Sequence, residues 1–198
     1  MTRRVTPGVL LASLALAIPV DVGWAQSGAV AGKITAKGLP SSAGIVVSLE
    51  APGLKVTPPP KPVEMDQRRM EFLPHVLPIV RGTTVRFLNN DRFGHNVFSP
   101  EGRYDLGNWT RGQTRDYTFT KSGVYTQLCR LHSAMIALVV VLDTPYFATT
   151  DPNGAFEMTN VPPGKYTLVA WGDKLKTLRQ PVAVQTGKPV AVALTLTN

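Results

Sequence analysis

Glycine and proline interrupt this chain more often than long helices allow. The 198 residues include 17 Gly and 17 Pro, without a collagen-like period. Proline removes a backbone donor and fixes one dihedral, and glycine costs a helix conformational freedom, so both favour short strands and turns. The hydrophobic share of 43% is that of an ordinary globular protein and argues against a disordered chain. The composition therefore predicts an all-β chain.

The N-terminus has the pattern of a secretory signal. Arg3 and Arg4 give a positive start, an apolar run covers Val9 to Val20, and Gly23-Trp24-Ala25 is a small-x-small cleavage site. We therefore expect residues 1–25 to be a signal peptide and the protein to be periplasmic, with an uncleaved membrane anchor as the alternative. No later run reaches the roughly 18 apolar residues that a spanning helix needs. The sequence thus predicts no stable membrane span after signal removal.

Short apolar or alternating runs bounded by turn residues follow along the rest of the chain. The predicted strands are residues 29–37, 45–49, 70–73, 76–80, 84–88, 116–120, 124–128, 136–142, 146–149, 155–158, 166–171, 180–184 and 190–196. Residues 100–108 are rich in turn formers and are predicted as a loop, while the prolines of 52–62 predict an extended linker. β-Sandwiches are the natural architecture for such a chain.

The chain has one cysteine, Cys129, so no disulfide within the chain is possible. In an exported protein a lone thiol is expected to be buried, paired with another chain or bound to a ligand. His132 and Met135 follow it in the spacing C-x2-H-x2-M, between two predicted strands. A thiolate, an imidazole and a thioether thus leave one short loop and can converge on one point.

Soft sulfur donors combined with imidazole favour copper, and two His with one Cys and a weak axial Met form the type 1 copper pattern. His95, which follows a predicted strand and the predicted turn Asn89-Asn90-Asp91, is the obvious second histidine. Zinc is the alternative, but it does not favour a thioether ligand. We therefore expect one copper per chain at His95, Cys129, His132 and Met135. His75 has no metal spacing to these residues and is interpreted as structural or exposed.

Residues 63–142 resemble a cupredoxin domain of the plastocyanin, pseudoazurin and amicyanin type. The matching stretches are MEFLPHVLPIVRGTTVRFLNNDRFGHNVFS and GVYTQLCRLHSAMIALVVVL. The resemblance implies a Greek-key β-sandwich with a blue copper ion at the four residues named above. Arg130-Leu131 departs from the Thr-Pro or Ser-Pro that is common after the cysteine. Asn96, which follows the first histidine, is a candidate brace for the cysteine loop, with a simple loop amide as the alternative.

A second resemblance flanks the first on both sides. The stretch FATTDPNGAFEMTNVPPGKYTLVAW is similar to the carboxypeptidase regulatory-like, transthyretin-type β-sandwich, whose first strands are similar to SGAVAGKITAKGLPSSAGIVVSLEAPG. We therefore predict a small discontinuous sandwich of residues 28–57 plus 145–198, with the copper domain inserted. Two consecutive domains are the alternative, and contact between residues 45–49 and 166–171 distinguishes the two arrangements. This part of the sequence shows no catalytic set.

The resemblance implies a periplasmic carrier of single electrons rather than an enzyme. Nitrite reductase and laccase types need many histidines, and the chain has three. The formal charge of +8 predicts a protein redox partner with an acidic docking surface, and no motif indicates nucleic acid. Copper delivery without redox turnover stays open, as does a sandwich-based binding module with structural copper. The resemblance reaches periplasmic methylamine-utilisation proteins, but nothing in the sequence indicates that substrate.

Overall fold

The computed structural model describes residues 27–198, so the predicted signal of residues 1–25 lies outside the described part. This part contains sixteen strands and no α-helix, which confirms the predicted all-β class. In chain order the strands are β1 (Gly28–Ala36), β2 (Val46–Glu50), β3 (Val63–Arg68), β4 (Glu71–Leu73), β5 (Val76–Val80), β6 (Thr84–Asn89), β7 (His95–Ser99), β8 (Tyr104–Trp109), β9 (Thr114–Thr118), β10 (Gly123–Leu128), β11 (Ile136–Leu142), β12 (Phe147–Thr149), β13 (Ala155–Val161), β14 (Gly164–Trp171), β15 (Leu178–Val184) and β16 (Pro189–Leu196).

Strands from both ends of the described chain share one sandwich. Its sheets have the strand orders β13-β1-β16 and β12-β2-β14-β15. β2 pairs antiparallel with β14 over Val46–Glu50 and Thr167–Trp171, the contact expected of an inserted copper domain. This pairing supports a discontinuous domain, whose boundaries at 28–57 and 145–198 stay a prediction.

Apolar side chains from both sheets fill the centre of this first sandwich. Ile34, Leu49, Leu168 and Leu196 are each at most 1% exposed, and burying one such side chain contributes about 1.5–3 kcal/mol. A Cβ on Gly32 would lie 1.9 Å from the Val192 carbonyl oxygen. The close approach of β1 to β16 therefore requires glycine at this position.

The second sandwich consists of a five-stranded sheet, β5-β11-β10-β7-β8, and a four-stranded sheet, β4-β3-β6-β9. Met65, Phe87, Val97, Trp109 and Ala137 lie in the core between them and are each at most 2% exposed. The strands of this sandwich run from residue 63 to residue 142 without interruption by the other sheets.

The prediction of a loop over residues 100–108 is correct for the turn at residues 100–103 but wrong for residues 104–108, because β8 occupies Tyr104–Trp109. The pairing of β8 with β7 shifts register between Asn96 and Phe98, and Gly107 has a φ of 73°. β8 is thus a bulged strand at the edge of its sheet, where glycine and polar residues are tolerated. Glycine and polar residues are also typical of turns, which is why the sequence pattern predicts a loop here.

Two loops meet at one end of the second sandwich, which we call the site end. The first, residues 90–94, joins β6 to β7, and the second, residues 129–135, joins β10 to β11. Antiparallel pairing of β7 with β10 sets Leu128 opposite Phe98, so the residues that follow Leu128 run towards His95 at the start of β7. This register brings the two loops together.

Candidate metal centre

Three donor atoms converge at the site end. His95 Nδ1 lies 3.0 Å from His132 Nδ1, and Cys129 Sγ lies 3.7 Å from His132 Nδ1 and 4.0 Å from His95 Nδ1. Among residues 27–198 these side chains form the one group of three or more His, Cys, Asp or Glu able to hold a metal ion. Bonds of about 2.0–2.3 Å, as formed by zinc to nitrogen and sulfur, would let one ion reach all three donors.

The environment of His95 favours metal binding. Its ring is fully buried, and Nε2–H donates to Asp91 Oδ2 at 3.2 Å. This bond leaves the lone pair on Nδ1, which faces the Nδ1 of His132. Burial lowers the pKa of His95 although the Asp91 carboxylate opposes this shift, so the neutral ligand form is favoured. The lone pair of His95 thus faces another nitrogen and a thiol, and a metal cation between these three atoms would satisfy all of them.

Asp91 connects the ligand ring to its surroundings. Besides His95, its carboxylate accepts hydrogen bonds from Met70 N–H at 2.7 Å and from Arg92 N–H at 2.9 Å. Burial raises the pKa of Asp91, but the bonds from Met70, His95 and Arg92 outweigh it and hold this pKa below its ordinary value. An ionised carboxylate behind a metal-binding histidine fixes the orientation of the ring. The sequence pattern around Asp91 indicates only a turn and does not predict this role.

Asn96 holds the cysteine loop, in agreement with its interpretation as a brace. Its backbone N–H donates to Cys129 Sγ at 3.4 Å, and its side-chain oxygen accepts from Arg130 N–H at 3.3 Å. The side-chain amide also donates to Asp105 Oδ1 at 2.7 Å and to the Gly107 carbonyl at 3.0 Å. The cysteine loop is thereby tied to both β7 and the bulge of β8.

Arg130, where the sequence departs from the Thr-Pro or Ser-Pro pattern, lies against the protein surface. Its guanidinium carbon is 4.2 Å from the centroid of the Phe98 ring, and its Nε donates to Asp105 Oδ2 at 2.7 Å. The Arg130 bond is the largest cause that holds the pKa of Asp105 below its ordinary value, with bonds from Gly107 and Asn96 adding to it. The departure from the family pattern thus supplies a second attachment for the loop.

Met135 lies in the core beside the metal centre, whereas His75 lies apart from it. Met135 is 1% exposed and packs in the same core cluster as Cys129, and its N–H donates to the His132 carbonyl at 3.0 Å. His75 lies outside the donor group, and its exposed ring bonds through Nδ1 to the Ile136 carbonyl at 3.1 Å. The structure therefore agrees with a structural or exposed role for His75.

Two protein families match this chain. Residues 61–142 match the copper binding proteins of the plastocyanin/azurin family, and residues 134–197 match the carboxypeptidase regulatory-like domain. The chain therefore contains a cupredoxin domain of the plastocyanin/azurin family and a carboxypeptidase regulatory-like domain, which confirms both resemblances.

Solved cupredoxins are similar to part of the chain. A purple cupredoxin from Nitrosopumilus maritimus is 24% identical, with a TM-score of 0.38, and the match covers 40% of this chain and 99% of that one. A mutant of reduced amicyanin is 23% identical, with a TM-score of 0.40, and covers 48% of this chain and 98% of its own. A Cu-containing nitrite reductase from Thermus scotoductus SA-01 is 29% identical, with a TM-score of 0.40, over 48% of this chain and 25% of that protein.

The donor set fits copper. Two imidazoles and one thiolate in a buried site, with a methionine in the same loop, are the ligands of a type 1 copper centre. Together with the family match, this set assigns copper as the cofactor of the protein, as the sequence predicts. In residues 27–198 no helix has the length and apolar character needed to cross a membrane.

Proposed function

We propose that this protein is a periplasmic type 1 copper protein that carries single electrons between protein redox partners and is not an enzyme. His95, Cys129 and His132 would hold the copper ion, and Met135 would add a weaker sulfur donor. The observation that carries the proposal is the convergence of His95 Nδ1, His132 Nδ1 and Cys129 Sγ within 4.8 Å of one another. Bound copper supplies a one-electron redox couple.

The surrounding chain suits electron transfer because it holds the donors rigidly. Asp91 fixes the ring of His95, while the Asn96 backbone N–H bonds to the Cys129 sulfur. Ligands that keep their positions between two oxidation states need little reorganisation when an electron arrives or leaves. The buried His95 and Cys129 also exclude water from the site. Rigid donors favour electron transfer over copper delivery, which requires a site that opens to release the ion.

His132 is the ligand closest to solvent. It is half-buried, whereas His95 and Cys129 are buried. The ring of Phe93, which is 45% exposed, lies with its centroid 6.4 Å from that of His132. Electrons enter and leave through the edge of His132 in this proposal. The positive charge of the chain attracts an acidic partner, and the association rate falls as salt increases.

The test is a titration of the purified apoprotein with Cu(II), followed by visible absorption and EPR spectroscopy. We expect an intense thiolate-to-copper band that saturates at one copper per chain, with narrow copper hyperfine splitting. Cys129→Ser should lose this band, whereas His75→Gln, a change in the histidine outside the donor group, should retain it. A colourless protein or an ordinary tetragonal copper signal would contradict the proposal.

Voltammetry separates the electron carrier from copper delivery. A carrier shows a reversible one-electron couple and keeps its copper in the presence of a chelator in both oxidation states. Rapid loss of copper to the chelator without a reversible couple would instead favour delivery. Fractionation of cells that produce the full chain tests the location, and copper protein confined to the cytoplasm would overturn the periplasmic assignment.

A further inference from the structure

An arginine-lined cavity of about 470 Å³ lies beside the metal centre. Its cationic lining comes from the end of strand β3, the β3–β4 turn, the β6–β7 loop and the β8–β9 loop, and comprises Arg68, Arg69, Arg92 and Arg111. Phe93 and Asp91 also line this space, which we call the arginine cavity. The cavity therefore lies next to both histidine ligands, because Asp91 bonds to the ring of His95 and Phe93 packs near the ring of His132.

Three of the four arginines in this cavity have no ion-pair partner in the described part of the chain. Elsewhere in the copper domain, three arginines pair with aspartates: Arg81 with Asp143, Arg86 with Asp116, and Arg130 with Asp105. Arg103 and Arg115 are the other described arginines of this domain without an ion pair. In the arginine cavity, Arg68 pairs with Asp66 at 3.1 Å. Across residues 27–198, no carboxylate lies within ion-pair distance of Arg69, Arg92 or Arg111. Three exposed cations thus face one space with their charge uncompensated.

Asp91, the acidic residue in the cavity wall, does not neutralise these cations by ion pairing. It is buried, and its carboxylate is already used by Met70 N–H, Arg92 N–H and His95 Nε2–H. The cavity therefore presents guanidinium groups to solvent, and guanidinium binds carboxylates in a planar, two-bond geometry.

The backbone holds part of this surface in place. Arg69 and Met70 form the turn between β3 and β4 with φ angles of 57° and 59°, a conformation that is uncommon for residues other than glycine. The Met70 N–H bond to Asp91 anchors the turn at 2.7 Å. On the other wall, the Arg92 guanidinium lies 5.5 Å from the centroid of the Phe93 ring. A partner in contact with these groups would lie next to the exposed edge of the site.

We propose that the arginine cavity is the docking site for an acidic segment of the protein redox partner, whose carboxylates pair with Arg69, Arg92 and Arg111. This inference rests on the proposed electron-carrier function and assigns its docking surface. The open, exposed position of the cations suits a short-lived encounter, because charges at the rim of an interface mainly set orientation and association rate. Phe93 supplies the apolar contact between the docked segment and His132.

The test uses the full copper-loaded protein, labelled with ¹⁵N, in its diamagnetic Cu(I) form and titrated with an oligoglutamate peptide. We expect the largest amide shifts at residues 69–70, 90–93 and 111, and a decrease in affinity as salt rises. The triple variant Arg69→Gln, Arg92→Gln and Arg111→Gln should weaken binding about five- to tenfold, because the loss of each exposed ion pair weakens binding by about twofold.

The matched control removes the same charge from the other sandwich, through Lys33→Gln, Lys165→Gln and Lys188→Gln. This variant should bind the peptide within about twofold of the wild type, since long-range attraction alone is weakly felt at physiological salt. Equal weakening in both triple variants would overturn the docking site, because net charge would then explain the binding. Shifts confined to other residues would overturn it as well.

Two further binding experiments test whether a small anion or a membrane, rather than an acidic protein segment, occupies the arginine cavity. Saturation of the same amides by inorganic phosphate at lower concentration than the peptide would identify a small-anion site and overturn the proposal. Preferential binding to phosphatidylglycerol vesicles would identify a membrane contact and also overturn it. The visible copper band is recorded for every variant, so a failed docking site with an intact blue spectrum differs clearly from failure of the electron-carrier function.

Discussion

The Asp91 carboxylate lies 3.2 Å from His95 Nε2, on the side of the ring opposite the nitrogen that faces Cys129. This contact links a loop carboxylate to a copper ligand four residues later. The bond fixes the proton on Nε2, and the negative charge makes Nδ1 a stronger donor. Asp91 therefore both orients the ring of His95 and strengthens its Nδ1 as a metal ligand.

Asp91→Asn should weaken copper binding about 10- to 100-fold, the range found when the hydrogen-bond partner of a metal-binding histidine is removed. Loss of the negative charge should also raise the reduction potential, because Cu(II) loses more stabilisation than Cu(I). Competition with a chelator and voltammetry measure the two effects. Asp66→Asn removes a nearby carboxylate that bonds Asn90 rather than His95, and should change neither value appreciably. Unchanged values in Asp91→Asn would contradict the role of this carboxylate.

Met135→Leu tests the axial position. The two side chains have similar volume, so the change should cost less than about 1.5 kcal/mol of unfolding free energy. The reduction potential should rise because the thioether no longer stabilises Cu(II), while the blue band of the Cys129 thiolate persists. Met65→Leu changes another fully buried methionine of the same core and serves as the control. A potential equal to that of the control would exclude Met135 as a ligand.

Acid should weaken the attachment of the cysteine loop. The Arg130 guanidinium, followed by Gly107 and Asn96, holds the pKa of Asp105 below its ordinary value. The ionised carboxylate therefore adds stability above an ordinary pKa of about 4, and this stability is lost as pH falls through the lower folded-state pKa. Because the side chain of Asp105 is 39% exposed, solvent screening limits the effect to about 1 kcal/mol or less.

Urea unfolding from about pH 2 to pH 7 measures this contribution. The difference in unfolding free energy between the wild type and Asp105→Asn should be largest near neutral pH and shrink in acid. Arg130→Gln should reproduce most of the effect, because Arg130 is the largest cause of the lowered pKa. A difference that stays constant across this range would show that Asp105 acts through its shape rather than its charge.

Gly154→Ala should disrupt the first sandwich. A Cβ at this position, where φ is 84°, would lie 1.9 Å from the Ile34 carbonyl oxygen. Overpacking and left-handed backbone strain together should cost about 2–5 kcal/mol. Gly38→Ala, with a φ of 86° and no neighbour within 4 Å of the new Cβ, should cost only the strain of about 1–2 kcal/mol. Denaturant unfolding followed by circular dichroism compares them, and equal costs would contradict the close contact.

The close donors could be predicted because their chemistry is local. Cys129 and His132 lie three residues apart in one loop, so they are close in space whatever the fold of the rest of the chain. His95 begins strand β7, far from Cys129 in sequence, and it is predicted as a ligand because it follows a predicted strand and turn. The register between β7 and β10 then brings it to the same end of the sandwich.

The contacts around these donors could not be predicted in the same way. Asp91 reaches His95 and the Met70 N–H only because the β3–β4 turn lies beside the loop of residues 90–94. The arginine cavity depends on the same proximity, since Arg69 and Arg111 are distant in sequence. An acidic residue four positions before a candidate histidine was the available signal for Asp91. Its interpretation as a turn was incomplete because such acids are also common in turns.

The parallel pairing of β1 with β16 has a consequence for how the protein is assembled. Gly28–Ala36 and Pro189–Leu196 are neighbours in one sheet, although nearly the whole described chain lies between them. The first sandwich cannot close until its last strand has emerged, whereas the copper domain comes from one continuous stretch. The copper domain therefore has all its strands available while β1 still lacks this neighbour, and loss of the C-terminal strand would leave an N-terminal edge open to other chains.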